Sequence, residues 1–142
     1  MSDGPVGIVV VSHSGAVADA VVELVRQLAN LPDSGPRVVA AGGMADGQPG
    51  TDAARVATSV RDADQGGGAV ILADLGSSIL SAFTAIEELL SSEQAARVRV
   101  SGGPLVEGTF VAAVQSAAGD ELEAVLSAAD SAGRMDKLGD RR

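Results

Sequence analysis

Apolar positions along the chain fall into two alternating patterns. Residues 7–12 (GIVVVS), 37–41 (RVVAA), 69–74 (AVILAD) and 96–100 (ARVRV) are short runs rich in β-branched residues, which read as four strands. The first and third are apolar enough to be buried on both faces, as in a central parallel strand. Between the strands the spacing turns helical. From Gly15, Val17, Val21, Leu24, Val25 and Leu28 recur on one side, with Asp19, Glu23, Arg26 and Gln27 opposite. Ala53, Val56, Ala57 and Val60 form a second stripe, entered through a cap at Gly50 or Thr51 with Asp52 favouring the helix start. Ile79, Phe83, Ile86 and Leu90 predict an inward face for a third helix after LGSS. Beyond the loop 101–108, Phe110, Val111 and Val114 mark another helix, and Asp120 caps a last one carrying Leu122, Val125, Leu126 and Ala129.

Strands alternating with helices of this length imply parallel pairing through right-handed crossovers. The expected fold is α/β: a doubly wound, mainly parallel open sheet with helices on both faces. Residues 1–130 are expected to form a single domain, and 131–142 (SAGRMDKLGDRR) a polar, flexible C-terminal tail, since the apolar period is lost there. In such sheets the working site lies beyond the carboxyl ends of the strands.

Composition narrows the chemistry. At 142 residues the chain can enclose a real core, built mostly from Ala and Val; hydrophobic residues make up 46%, with two Phe and neither Trp nor Tyr. So few aromatics argue against base stacking or a flavin site. A formal net charge of −9 disfavours nucleic acid and anionic membrane surfaces, which both need a basic face. Cysteine is absent, which removes disulfides and thiolate chemistry. No apolar run approaches the about 18 residues that span a bilayer, and the first residues lack a signal-peptide pattern, so a cytoplasmic location is expected. The single lysine, Lys137, lies in the tail, which rules out a Walker A loop with its lysine beside the glycines. With one histidine in the chain, a multi-histidine metal site cannot form within it, and no metal is expected. The glycines of DADQGGG precede a strand rather than open a helix, which favours a plain turn over a phosphate cradle.

The one histidine, His13, closes the first strand, and Asp74 closes the third. Were these strands neighbours, the two side chains would meet at one rim. A carboxylate accepting from Nδ1–H fixes the tautomer and leaves the lone pair on Nε2, a usable nucleophile. Ser14 and Gly15 open one helix, and Gly76, Ser77 and Ser78 open another; helix starts offer amide N–H groups to anions. Each residue also has a plainer reading. A lone histidine at a strand end can be structural, and Asp74, Ser77, Ser78 and Thr51 can be helix caps. The convergence of all of them on one rim raises a histidine-centred phosphoryl pocket to equal weight with these plainer readings.

VVVSHSG, GTDA (50–53), LADLGSS (72–78) and GGPLVEGT (102–109) resemble, in order and spacing over about residues 6–130, the phosphotransfer subunits (DhaM type) of phosphoenolpyruvate-dependent dihydroxyacetone kinases. Their domain belongs with the mannose-type enzyme IIA domains of the sugar phosphotransferase system. The resemblance implies strand order 2-1-3-4, a homodimer, phosphorylation of His13 at Nε2, and Asp74 as the carboxylate that orients it. Ser14, Gly15, Thr51, Gly76, Ser77 and Ser78 match its phosphoryl-binding loops. It further implies the phosphocarrier protein HPr as donor and, as acceptor, ADP held with magnesium on a kinase subunit (DhaL), with no cofactor on this chain. Some relatives carry HPr-like and enzyme-I-like domains after this one; here those carriers are expected as separate proteins. No chemical role follows for Glu107. Two other readings stand beside this one: a mannose-type IIA serving sugar transport, whose turn is typically GTHG rather than VSHSG, and a non-catalytic flavodoxin-like regulatory module.

Overall fold

The computed structural model describes residues 4–141. Four strands, β1 (Gly7–Ser12), β2 (Val38–Gly42), β3 (Ala69–Ala73) and β4 (Val98–Val100), pair in the order β2-β1-β3-β4. Every pairing is parallel: Ile8 lies opposite Val38 and Val70, and Ile71 opposite Val100. The expected doubly wound architecture and strand order are therefore found.

Alternation along the central strands divides the core into two layers. Ile8 and Val10 of β1, with Val70 and Leu72 of β3, face α1 (Gly15–Ala29), α5 (Leu105–Ala117) and α6 (Leu122–Ser131). Val9 and Val11, with Ile71 and Ala73, face α2 (Ala53–Ala63) and α3 (Gly76–Thr84). The α3 helix continues as a π-helical turn, Ala85–Leu89, and the short α4 (Ser92–Ala95) follows behind a Ser91/Gln94 capping box.

α2 and α6 bury the stripes expected of them, but α1, α3 and α5 depart in part from the faces that the large apolar residues suggest. In α1 the buried residues are Ala18, Val21, Val22 and Val25, while Val17, Leu24 and Leu28 are exposed. In α3, Ser78 and Ala82 are buried and Phe83 is exposed. In α5, Gly108, Thr109, Ala112, Ala113 and Ser116 face inward, while Val114 is exposed. Small residues win these faces because they let the helix backbone lie close to the sheet. Gly108 makes the point: a Cβ there would stand 2.8 Å from Leu72 Cδ1. The PLVEG stretch is accordingly helical from Leu105 rather than loop. Two caps also differ from the sequence expectation. Asp52, not Gly50 or Thr51, caps α2, its carboxylate accepting from Ala54 N–H, and Glu121 rather than Asp120 precedes α6. Ala132 is buried behind α6, and the described residues 133–141 are exposed.

Candidate functional site

Parallel strands bring the ends of β1 and β3 to the same rim. Val11 pairs with Ala73, so the residues that follow, Ser12–His13 and Asp74, emerge side by side. The Asp74 N–H donates to Val11 O at 3.1 Å, which locks that proximity into the backbone. β2 closes the other flank: Ser12 lies opposite Gly42, and Gly43 N–H donates to Ser12 O. Gly42 is required here, since a Cβ would fall 2.6 Å from Ser14 O.

Asp74 accepts five hydrogen bonds. Its Oδ1 receives His13 Nδ1 at 3.0 Å, Ser78 Oγ at 2.5 Å and Leu75 N–H at 2.7 Å. Its Oδ2 receives Ser12 Oγ at 2.9 Å and His13 N–H at 3.0 Å. Partial burial pushes the carboxyl upward, but the bonds from Ser78, the His13 backbone and ring, and Ser12 outweigh it and hold Asp74 well below the ordinary carboxylate range. An ionised carboxylate only accepts, so the proton on His13 sits at Nδ1. Nε2 then carries the lone pair, and Ser77 Oγ, 2.5 Å away, donates to it. The ring stands between a partly buried anion and solvent, the side chains of His13 and Asp74 being 28% and 20% exposed.

The sequence-expected residues take distinct places. His13, Asp74, Ser77 and Ser78 touch directly. Ser78 is wholly buried and spends its hydroxyl on Asp74, beside His13 Nδ1 at 3.1 Å. Ser14 caps α1, its Oγ accepting from Val17 N–H at 3.2 Å, and Gly15 is the first residue of that helix. Gly76 opens α3 with free space on its Cβ side. Thr51 does not touch the ring: its Oγ1 lies 2.5 Å from Ser81 Oγ, one turn along α3 from Ser77. The neighbouring Gly50 N–H donates to His13 O at 2.9 Å. The start of α3 thus meets Nε2 through Ser77, while the start of α1 and the 43–51 loop adjoin the His13 backbone.

Sequence reasoning missed Ser12 and Ser81. Ser12 carries a signal, for it has the parity of Ile8 and Val10 and so points into the covered face of the sheet. Glu107 pairs with Lys137, which draws its carboxyl below the usual value. A cleft of about 290 Å³ runs from Asp74, Leu75 and Gly76 to the loop Ser101–Leu105. A larger cavity of about 720 Å³ opens at the opposite end of the sheet, where the Arg97 guanidinium is already engaged by Asp64. Among the described residues, no group of three His, Asp or Glu side chains could hold a metal, and no helix is long and apolar enough to cross a membrane.

Residues 7–126 match the EIIA-man family, described as the PTS system fructose IIA component. Among curated relatives, the chain is 39% identical over 123 residues to the PEP-dependent dihydroxyacetone kinase phosphoryl donor subunit DhaM of Escherichia coli. That match covers 85% of this chain but only 25% of the relative, so the chain spans about a quarter of its length. A DhaM of Listeria innocua, from its dihydroxyacetone kinase 2, is 36% identical over 121 residues, covering 85% of this chain and 94% of the relative. Of solved structures, the protein of unknown function EF1359 superposes with a TM-score of 0.74 at 30% identity, covering 89% of this chain and 94% of its own. A sigma-54 interaction domain protein from Enterococcus faecalis superposes at 0.71 with 16% identity over 99% of each chain, a likeness of fold alone.

Proposed function

The chain belongs to the EIIA-man family of phosphotransferase-system IIA components, and from that premise we propose that it is the phosphoryl donor subunit of a phosphoenolpyruvate-dependent dihydroxyacetone kinase. His13 Nε2 takes a phosphoryl group from the phosphohistidine of HPr and passes it to ADP held with magnesium on the kinase subunit DhaL. The observation that carries this reading is the ring's polarisation: Asp74 holds Nδ1 at 3.0 Å, leaving the lone pair on Nε2, where only the exposed Ser77 hydroxyl meets it among the described residues. The names of the relatives from Escherichia coli and Listeria innocua support the choice of kinase.

In the first step the Nε2 lone pair attacks phosphorus as the donor's P–N bond breaks, and the donor ring recovers its electron pair. His13 keeps its Nδ1 proton throughout, because Asp74 remains an anion opposite the charge gained on the ring. Ser77 releases Nε2 and turns its hydroxyl to a phosphoryl oxygen. The amides at the starts of α1 and α3, with Ser14, Gly15 and Gly76, supply further donors for an anion. Thr51 acts at one remove, tying the loop that carries Gly50 to α3 through Ser81. In the second step a β-phosphate oxygen of ADP attacks the same phosphorus, and the electrons return to Nε2. The chain works as a homodimer, with no cofactor of its own.

The test is a relay reconstituted with phosphoenolpyruvate, enzyme I and HPr. The chain should take up one acid-labile phosphate, and His13→Ala should take up none. ADP-loaded kinase subunit should then discharge the label while a mannose-type IIB protein leaves it in place. Discharge by IIB alone would move the chain to sugar transport, and labelling of His13→Ala would remove the site.

A further inference from the structure

Ser12 is wholly buried at the end of β1. Its Oγ donates to Asp74 Oδ2 at 2.9 Å and accepts from Ser14 N–H at 3.1 Å. The second bond takes up acceptor capacity of the hydroxyl and leaves its proton directed at the carboxylate. With the His13 backbone N–H on the same oxygen, Oδ2 is occupied by donors that do not belong to the ring. Oδ1 is thereby the oxygen that faces Nδ1. The same hydroxyl links the aspartate to the residue that caps α1, so the histidine's carboxylate and the helix start that adjoins the His13 backbone are set by a single group.

The fold contains a natural comparison. After β4, Ser101 is also buried; its Oγ donates to Asp130 Oδ1 at 2.6 Å and accepts from Gly103 N–H at 3.0 Å. Gly102 N–H donates to Asp130 Oδ1, as His13 N–H donates to Asp74 Oδ2. The two braces share one pattern, a strand-end serine with a carboxylate from a neighbouring segment. One holds a histidine between its serine and the amide that donates to it; the other holds Gly102.

We propose that Ser12 is a positioning residue of the phosphoryl-transfer site, which fixes the Asp74 carboxylate so that His13 keeps its proton on Nδ1 and its lone pair on Nε2. The role in transfer rests on the function proposed above; the role in the tautomer does not. Without the hydroxyl, Oδ2 keeps only the His13 N–H, so the carboxylate is held less firmly against Nδ1 and the second tautomer becomes populated.

Ring nitrogen shifts of ¹⁵N-labelled chain test this, with Ser101→Ala as the control that removes the matching brace. Ser12→Ala should show mixed tautomers and a labelling rate from phosphorylated HPr lowered about tenfold, the scale of one hydrogen bond to a charged group. Ser101→Ala should lose stability and leave both readouts unchanged. Should Ser12→Ala not fold, Ser12→Cys keeps the volume and weakens the donor, and is read the same way. Wild-type ring shifts in the Ser12 variant, or equal changes in the two variants, would make Ser12 a fastening of the fold and nothing more. If HPr fails to label wild-type chain, the function falls while the ring shifts still decide Ser12's part in the tautomer.

Discussion

Asp74 stays ionised far into acid because its donors outnumber what burial costs it. Its carboxyl lies below the unfolded value of about 3.9, so the stability it contributes is fully present above that pH. It is lost as pH falls through the folded value. Wild-type chain should therefore be more stable than Asp74→Asn at pH 7, and the difference in urea midpoint should shrink once the pH is taken well below 4. An unchanged difference would mean the carboxylate is not held as an anion by the fold. On function, Asp74→Asn should slow labelling by about a hundredfold or more, as when a triad loses the acid that sets its tautomer. The pair His13–Asp74 was legible in the sequence because each residue terminates an apolar run. Ser78's place inside the pair was not. A serine two residues into a helix reads equally as a donor to phosphate, and only the packing of α3 sends its hydroxyl to the carboxylate instead.

At the scale of elements, existence was easier to read than orientation. Strand positions follow from β-branched runs that no helix would favour, and all four were legible. The faces of α2 and α6 were read correctly, Ala57 and Ala129 included, but in α1, α3 and α5 a reading weighted to large apolar residues missed contacts made by alanine, glycine and serine. Phe83 and Leu80 are exposed on α3 while Ala82 is buried, and Val17 is exposed on α1 beside buried Ala18. Close helix-to-sheet packing selects small side chains, and a pattern weighted by size lands one position away. Gly42 carries the same constraint into the site. Gly42→Ala should cost about 2 kcal/mol by overpacking, because the new methyl would meet Ser14 O and Ala18 Cβ, 2.6 and 2.8 Å away. Chemical unfolding measures the loss. A loss under 0.5 kcal/mol would mean that β2 and the start of α1 separate freely.

Over the whole molecule, the strand order β2-β1-β3-β4 turns a sequence of motifs into a site. With β1 and β3 adjacent and parallel, residues sixty-one positions apart become hydrogen-bonded partners. No local pattern encodes that adjacency, and in the sequence it came from the resemblance to a family. The 43–51 loop, the start of α1 and the start of α3 then gather at His13, and the cleft beside Asp74 leaves that end of the sheet open toward the Ser101–Leu105 loop. Sedimentation velocity should find the chain at twice its monomer mass; a monomer at all concentrations would remove the proposed homodimer. The central claim is narrower than the assembly: phosphorus is carried on one ring nitrogen. The most direct measurement is ¹⁵N–³¹P coupling in chain labelled by phosphorylated HPr. Coupling at Nε2 of His13, with Nδ1 still protonated, is the predicted result; phosphorus on Nδ1, or on a serine hydroxyl, would contradict it.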